Sequence, residues 1–302
     1  MNQTTQLVMR KYKFLIISTV VLFLVILLSG CRETIVEDKS KLLAVDYRLF
    51  QQTPAWEVAK AVQDGNVDKI KEEIGKNKKL ISFREPVWGQ PLLKFAVMSE
   101  NYESTKALLE SGADPNMQDL DYGDSPLMEA VRIGGRGSYT DDGSYEDVGS
   151  DPRFLKLLLR YGGNPNDTSA KLRLTPLLYA CRYGHIDYVK ILIDAGAKVN
   201  GVDQRGTTPL AEAAIQHFPE LVIYLIKNGA DYKKVLYTTI PEKENKYLTD
   251  AMRHWRFDLN SGEYKKKMWL VNFLKKNGMD YKKAKIPEEF YDDYSKDYLS
   301  KY

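Results

Sequence analysis

The apolar residues of this chain follow two regimes. From Phe14 to Leu28 they form an almost unbroken run of 15 positions, preceded by Arg10, Lys11 and Lys13. From residue 54 onward they fall in short clusters, such as Leu108-Leu109, Leu158-Leu159, Leu192-Ile193, Leu225-Ile226 and Phe273-Leu274, each followed closely by glycine. Clusters of this length predict amphipathic helices of two or three turns. Helices so short do not hold alone in water and must bury their apolar stripe against neighbours. Between the two regimes, Glu33 to Thr53 carry mixed charge, no glycine and no sustained period, which predicts a spacer.

The clusters repeat. A turn followed by Pro-Leu occurs at Gln90-Pro91-Leu92, Ser125-Pro126-Leu127, Thr175-Pro176-Leu177 and Thr208-Pro209-Leu210, with the prolines 35, 50 and 33 residues apart. The glycines Gly112, Gly162, Gly196, Gly229 and Gly278 are separated by 50, 34, 33 and 49 residues. Both series give a unit near 33 residues, with extra residues inserted in two units. Proline in the first helical turn fixes φ where no N–H partner is needed, and Thr175 or Thr208 before it offers an N-cap oxygen. The glycine ends the second helix where a left-handed residue is wanted. No single unit buries its apolar face alone, so the units are expected to stack into a solenoid with one continuous core.

These residues resemble ankyrin repeats. The best unit runs from Asp203-Gln204-Arg205-Gly206-Thr207-Thr208-Pro209-Leu210 to Gly229-Ala230-Asp231, and the preceding one reads Thr175-Pro176-Leu177-Leu178-Tyr179-Ala180, Tyr183-Gly184-His185 and Gly196-Ala197. The units of Pro91 and Pro126 are looser but keep Gly-Ala-Asp-Pro-Asn and Gly-Gly-Asn-Pro-Asn at 112–116 and 162–166. The resemblance implies an all-α ankyrin-repeat solenoid over residues 54–285, made of helix-turn-helix units joined by hairpin loops. Its ends are expected to be atypical, because one face of each meets water. Trp56 to Ile74, split at Gly65-Asn66, reads as an N-terminal cap. Leu248 to Gly278 reads as a C-terminal cap, with Met252, Trp255, Trp269, Phe273 and Leu274 on helical spacing around Asn260-Ser261-Gly262. Residues 286–302 form an acidic, tyrosine-rich tail.

The first apolar run has a different use. Its length falls short of the ~20 residues a bilayer-crossing helix needs, and basic residues precede it, as in a signal peptide. It ends in Leu28-Ser29-Gly30-Cys31, which resembles the lipobox of bacterial lipoproteins. The resemblance implies that residues 1–30 are removed, that Cys31 is acylated, and that residues 31–53 carry the lipidated cysteine and a tether. The product is then exported and membrane-anchored in the periplasm, and Arg32 after the cysteine favours the inner leaflet of the outer membrane. With Cys31 acylated only Cys181 remains, so no intramolecular disulfide is expected.

Composition narrows the chemistry. The 43% hydrophobic residues and 20 Tyr exclude a disordered chain, and two cysteines exclude a disulfide scaffold. Three of the 44 basic residues, Arg10, Lys11 and Lys13, lie in the leader, so the remainder carries 41 of each sign and gives no electrostatic reason to expect nucleic acid. None of His185, His217 and His254 has a partner at metal-ligand spacing, and His185 in its Gly-His position reads as structural. Cys181 reads as a buried thiol, and Gly134-Gly135-Arg136-Gly137-Ser138 follows a helix and has no Lys-Ser/Thr, so it fails as a phosphate loop. No catalytic constellation, cofactor motif or small-molecule substrate site emerges, and the chain reads as a non-catalytic protein-binding module.

Its candidate contacts are departures from the repeat. Trp88 replaces the hairpin glycine of its unit, Tyr122 precedes Gly123 at the next tip, Arg173 stands where glycine is usual, and Arg205 occupies the last tip. Trp, Tyr and Arg dominate interface energetics. The insertion of residues 135–150 adds Tyr139, Asp141, Asp142, Tyr145, Glu146 and Asp147, a flexible acidic loop suited to a basic protein surface. From Arg253 to Lys285 ten basic residues face three acids, whereas the tail reverses sign. Lipid-anchored ankyrin-repeat proteins of this kind resemble immunity proteins paired with antibacterial effectors, including phospholipases delivered by type VI secretion. That likeness implies inhibition by occlusion, the alternative being a general envelope scaffold for another exported protein.

Overall fold

The computed structural model describes residues 38–134, 138–139, 145–146, 151–239 and 243–301. The leader, Cys31 and Arg32 lie outside the described residues. Two units are distinguished, Met1–Lys41 and Leu42–Tyr302, and of the first only Asp38 to Lys41 are described, including a single 3-10 turn at Lys39–Lys41.

The second unit is a series of helix pairs. In chain order the helices are α1 (Trp56–Gln63), α2 (Val67–Lys76), α3 (Leu92–Met98), α4 (Tyr102–Glu110), α5 (Pro126–Ile133), α6 (Arg153–Arg160), α7 (Pro176–Tyr183), α8 (Ile186–Asp194), α9 (Pro209–Ile215) and α10 (Pro219–Lys227). After them come α11 (Leu248–Arg253), α12 (Gly262–Lys276), α13 (Phe290–Asp293) and α14 (Lys296–Lys301). The first helices α3, α5, α7 and α9 pack on one another in sequence, as α2, α4 and α6 do in a second layer that continues with α8, α10 and α12. Between the layers lie fully buried Leu108, Leu127, Leu158, Val189, Leu192 and Leu225. Each such side chain contributes ~1.5–3 kcal/mol by leaving water.

Local chemistry starts the first helices. Ser125, Thr175 and Thr208 accept from the backbone N–H three residues on, at 3.4, 3.2 and 3.1 Å, with Pro126, Pro176 and Pro209 next in line. The unit of Pro91 differs because Gln90 does not cap, and Pro91 itself takes the N-cap place in extended backbone. Asparagines then fasten successive units. Asn116 donates to the Gly162 carbonyl at 3.0 Å and accepts from the Asn164 N–H at 2.7 Å. Asn166 does the same for Gly196 and Lys198, and Asn200 for Gly229 and Asp231.

Both ends depart from the sequence reading. Leu49 and Phe50 are fully buried, the Phe50 ring stands 5.4 Å from Phe95, and Tyr47 stacks on Trp56 at 5.4 Å. The expected 31–53 tether is therefore shorter, because residues from Tyr47 onward cover core left open beside α1 and α3. At the other end α11 stops before Trp255, which is fully buried and donates through Nε1 to the Ala214 carbonyl at 2.7 Å. Gly262 starts α12, with Ser261 as its cap. The acidic, tyrosine-rich tail packs back on the basic C-terminal region: Phe290 is buried with Arg256 over its ring at 4.6 Å, and Tyr298 donates to the Phe257 carbonyl at 3.1 Å.

Two antiparallel ladders interrupt the helices. Ser138–Tyr139 pairs with Tyr145–Glu146, and Tyr237–Thr238 with Asn245–Lys246. Of the 135–150 insertion, only Ser138–Tyr139 and Tyr145–Glu146 are described, and these four residues pair across an antiparallel ladder that satisfies backbone groups a loop would leave to water. The second ladder was not anticipated and lies within the 49-residue glycine spacing.

Candidate functional site: the hairpin tips and the first-helix face

Every tip is organised by one buried polar residue. Glu85 accepts from the N–H groups of Val87, Trp88 and Gln90 at 2.6, 2.8 and 2.9 Å. Asp119 accepts from Asp121, Tyr122 and Gly123 at 2.8–2.9 Å, Asp203 from Arg205 and Thr207 at 2.8 Å, and the Ser169 hydroxyl from Leu174 at 3.0 Å. A short side-chain acceptor at the start of each tip holds the turn that the backbone alone would leave with unpaired donors. Neighbouring tips are joined backbone to backbone: Leu120 donates to Trp88, Ala170 to Tyr122, and Gln204 to Leu172, at 3.0, 2.9 and 3.1 Å.

This register places the expected contact residues. The left-handed position of the four tips is held by Gly89, Gly123, Arg173 and Gly206, with φ of 65°, 72°, 53° and 81°. Trp88 therefore does not replace the hairpin glycine, which is Gly89. It stands beside that glycine, as Tyr122 does beside Gly123, and it is half-buried against the core. Tyr122 is exposed, with the Lys171 ammonium 4.3 Å from its ring centre, and Leu120 and Leu172 are exposed on the same row of tips. Arg173 and Arg205 are exposed, the latter with its guanidinium 3.6 Å from Asp203. Tyr139, Tyr145 and Glu146 lie in the insertion ladder, whereas Asp141, Asp142 and Asp147 lie outside the described residues.

The structure adds residues that the repeat pattern had concealed. A cavity of about 360 Å³ opens between the first two of these tips and helices α3, α5 and α7. Its wall includes Trp88, Lys94, Asp119, Asp121, Tyr122, Asp124, Arg132 and Tyr179. Lys94, Glu129, Tyr179 and Glu212 each stand three residues after the unit's proline, so they form one column across the first helices. Lys94 is ion-paired with Asp119 and stands 3.7 Å from Glu129, which the guanidinium of Arg132 grips at 2.7 Å. Further along, Arg182 pairs with Glu212 at 2.7 Å. A charged residue at that third position, inside Leu92-Leu93-Lys94-Phe95 or Pro126-Leu127-Met128-Glu129, was the signal that could have revealed the cluster.

Two neighbouring carboxyls respond oppositely to this environment. Burial pulls Asp119 upward, but Lys94 and the N–H groups of Gly123 and Tyr122 outweigh it and hold the carboxyl below its usual range. For Asp124, burial prevails and pushes the carboxyl up, with Asp119 and Glu129 adding to the rise and Lys94 and Arg132 opposing it.

The other sequence candidates are dispersed. Cys181 is fully buried in α7, and desolvation pushes its thiol up, which makes it inert. His185 is buried between the rings of Tyr183 and Tyr188, at 6.3 and 5.6 Å. His217 and His254 line a separate cavity near Tyr237 and Arg256, and burial lowers His217. Among the described residues, no group of three or more His, Cys, Asp or Glu is placed to hold a metal ion, and no helix is long and apolar enough to cross a membrane.

Comparison with known proteins agrees with this architecture. A family model for three copies of ankyrin repeats matches residues 146–235, and a second model, for many copies, matches 93–140. Protein PhlB of Serratia liquefaciens is 35% identical over 123 residues, which is 41% of this chain and 47% of that protein. Neurogenic locus notch homolog protein 1 of Xenopus laevis is 29% identical over 169 residues, and human notch homolog protein 2 is 31% identical over 143. Those matches cover 56% and 47% of this chain but only 6% and 5% of the notch proteins, so the chain spans less than half the length of each of these relatives. The chain carries ankyrin repeats folded as an all-α solenoid, and such repeats are protein–protein interaction modules.

Proposed function

We propose that this protein is a membrane-anchored immunity protein that neutralises a secreted antibacterial effector, such as a phospholipase delivered by type VI secretion, by covering its active cleft. The observation that carries this reading is the built docking face: a hydrogen-bonded row of tips bearing Trp88, Leu120, Tyr122, Leu172 and Arg173 beside a charged cavity. Occlusion needs a rigid, complementary surface and no reacting group, and interface energy concentrates in aromatic and arginine anchors. The leader ending in Leu28-Ser29-Gly30-Cys31 supplies an acylated Cys31, which keeps the inhibitor beside the periplasmic membrane surface where a lipase acts, with Arg32 favouring the outer membrane. The insertion of residues 135–150, with Tyr139, Asp141, Asp142, Tyr145, Glu146 and Asp147, adds an acidic arm to the same task.

The test is purification of the full-length chain from envelopes in detergent, followed by an activity assay on whatever binds. A stoichiometric secreted hydrolase, inhibited in the complex and released by deletion of 135–150 or substitution of Trp88, is the expected result. A resident envelope enzyme that stays active in the complex would instead make the protein a scaffold.

A further inference from the structure

We propose that the cavity beside Asp124 is a socket for one arginine side chain of the partner protein. The inference rests on the reading that the tip face is the docking surface, and it names the chemistry that this face accepts.

One acidic side chain at the cavity is left without an ion pair. Lys94 is taken by Asp119 and Glu129, Arg132 by Glu129, and Lys171 by Asp121 at 2.6 Å. Asp124 is 7% exposed and has only a long 3.4 Å hydrogen bond from the Tyr179 hydroxyl to Oδ2, while its buried Oδ1 has no partner. A buried carboxylate with no ion pair of its own, near Lys94 and Arg132 but bonded to neither, is costly to the free protein. Folding could have avoided that cost with any neutral residue, since the tip turn is held by the side chain of Asp119, not by that of Asp124. The penalty is recovered when a cation enters from outside.

The walls specify which cation. Trp88, Tyr122 and Tyr179 line the same cavity and present aromatic surface. A guanidinium stacks on such surfaces while its planar fork meets a carboxylate, whereas an ammonium offers only a point charge. The volume of about 360 Å³ admits a long side chain, and the mouth lies on the row of exposed tips where a partner's surface would pass.

The socket is testable without the effector. Full-length protein in detergent is titrated with N-acetyl-arginine amide, N-acetyl-lysine amide and the uncharged isostere N-acetyl-citrulline amide, followed by NMR signals of the Trp88 indole and the Gly123 and Asp124 amides. The arginine probe is expected to shift these signals, with at least fivefold weaker responses to lysine and citrulline and to all three probes in Asp124→Asn. Asp124→Asn should also melt higher than the parent in the absence of any probe. Equal binding of citrulline, or displacement of the arginine probe by calcium ions alone, would overturn the socket, and neither comparison depends on the variant folding. If arginine docks selectively but no effector is ever inhibited, the immunity reading fails while the socket stands.

Discussion

The side chain of Asn166 closes two hydrogen bonds on the next repeat, donating to the Gly196 carbonyl at 2.9 Å and accepting from Lys198 two residues later at 2.7 Å. One amide thus satisfies a helix-end carbonyl and a loop N–H that would otherwise turn to water. Asn166→Ala should lower stability by ~0.5–1.5 kcal/mol, because the bridge is solvent-accessible. Urea denaturation measures it, and an unchanged midpoint would show that water replaces the bridge.

Leu192 lies in the last turn of α8 with no exposed surface. Leu192→Ala should cost ~2–5 kcal/mol, transfer and cavity combined. A thermal melt that moves by less than ~0.5 kcal/mol equivalent would contradict the packing of that layer.

Arg173 keeps a φ of 53° where the other tips use glycine. Arg173→Gly should stabilise the fold by ~0.5–1 kcal/mol, the relief of left-handed strain exceeding the extra freedom of the unfolded chain. If the arginine is retained for a partner, the same substitution should weaken partner binding while raising the melting temperature. Loss of stability would place the guanidinium in a structural role instead.

Lys267 is buried in α12, with its Nζ donating to the Trp255 carbonyl at 3.1 Å and facing Arg253 and the Tyr281 ring. Desolvation, assisted by Arg253, holds its amine down to about 6, against 10.5 when unfolded. Between those values the unfolded chain binds a proton that the folded chain does not, so stability from this group rises with pH, and its penalty is complete below pH 6. Lys267→Met should therefore stabilise by ~1–4 kcal/mol near pH 6 and by less near pH 9. Guanidinium denaturation across that range checks it, and a pH-independent difference would mean that the amine is not desolvated.

The fold was legible because ankyrin-type units announce themselves through Pro126, Pro176 and Pro209, through their capping hydroxyls and through the glycines that end the second helices. The ends were less legible. Tyr47 and Phe50 resemble spacer residues until the bare flank of α1 and α3 is known, and the tail looked merely acidic until Phe290 found its place beneath Arg256. The tip residues were visible one by one, but Trp88 was misregistered by one position because Gly89 carries the turn. The cavity was hidden for a different reason. Lys94, Asp119, Asp124 and Glu129 lie 35 residues apart from first to last, and only stacking brings them to one place.

The asparagine bridges also set where the molecule yields. Asn116, Asn166 and Asn200 occupy the same place in successive units, and in the next unit that place is Lys233, for which no such bridge exists among the described residues. The last unit is held by other means, Tyr232 against Phe273 at 5.3 Å and Trp255 on Ala214. Under a pull applied from the carboxyl end, the seam after Gly229 has no asparagine bridge to resist it.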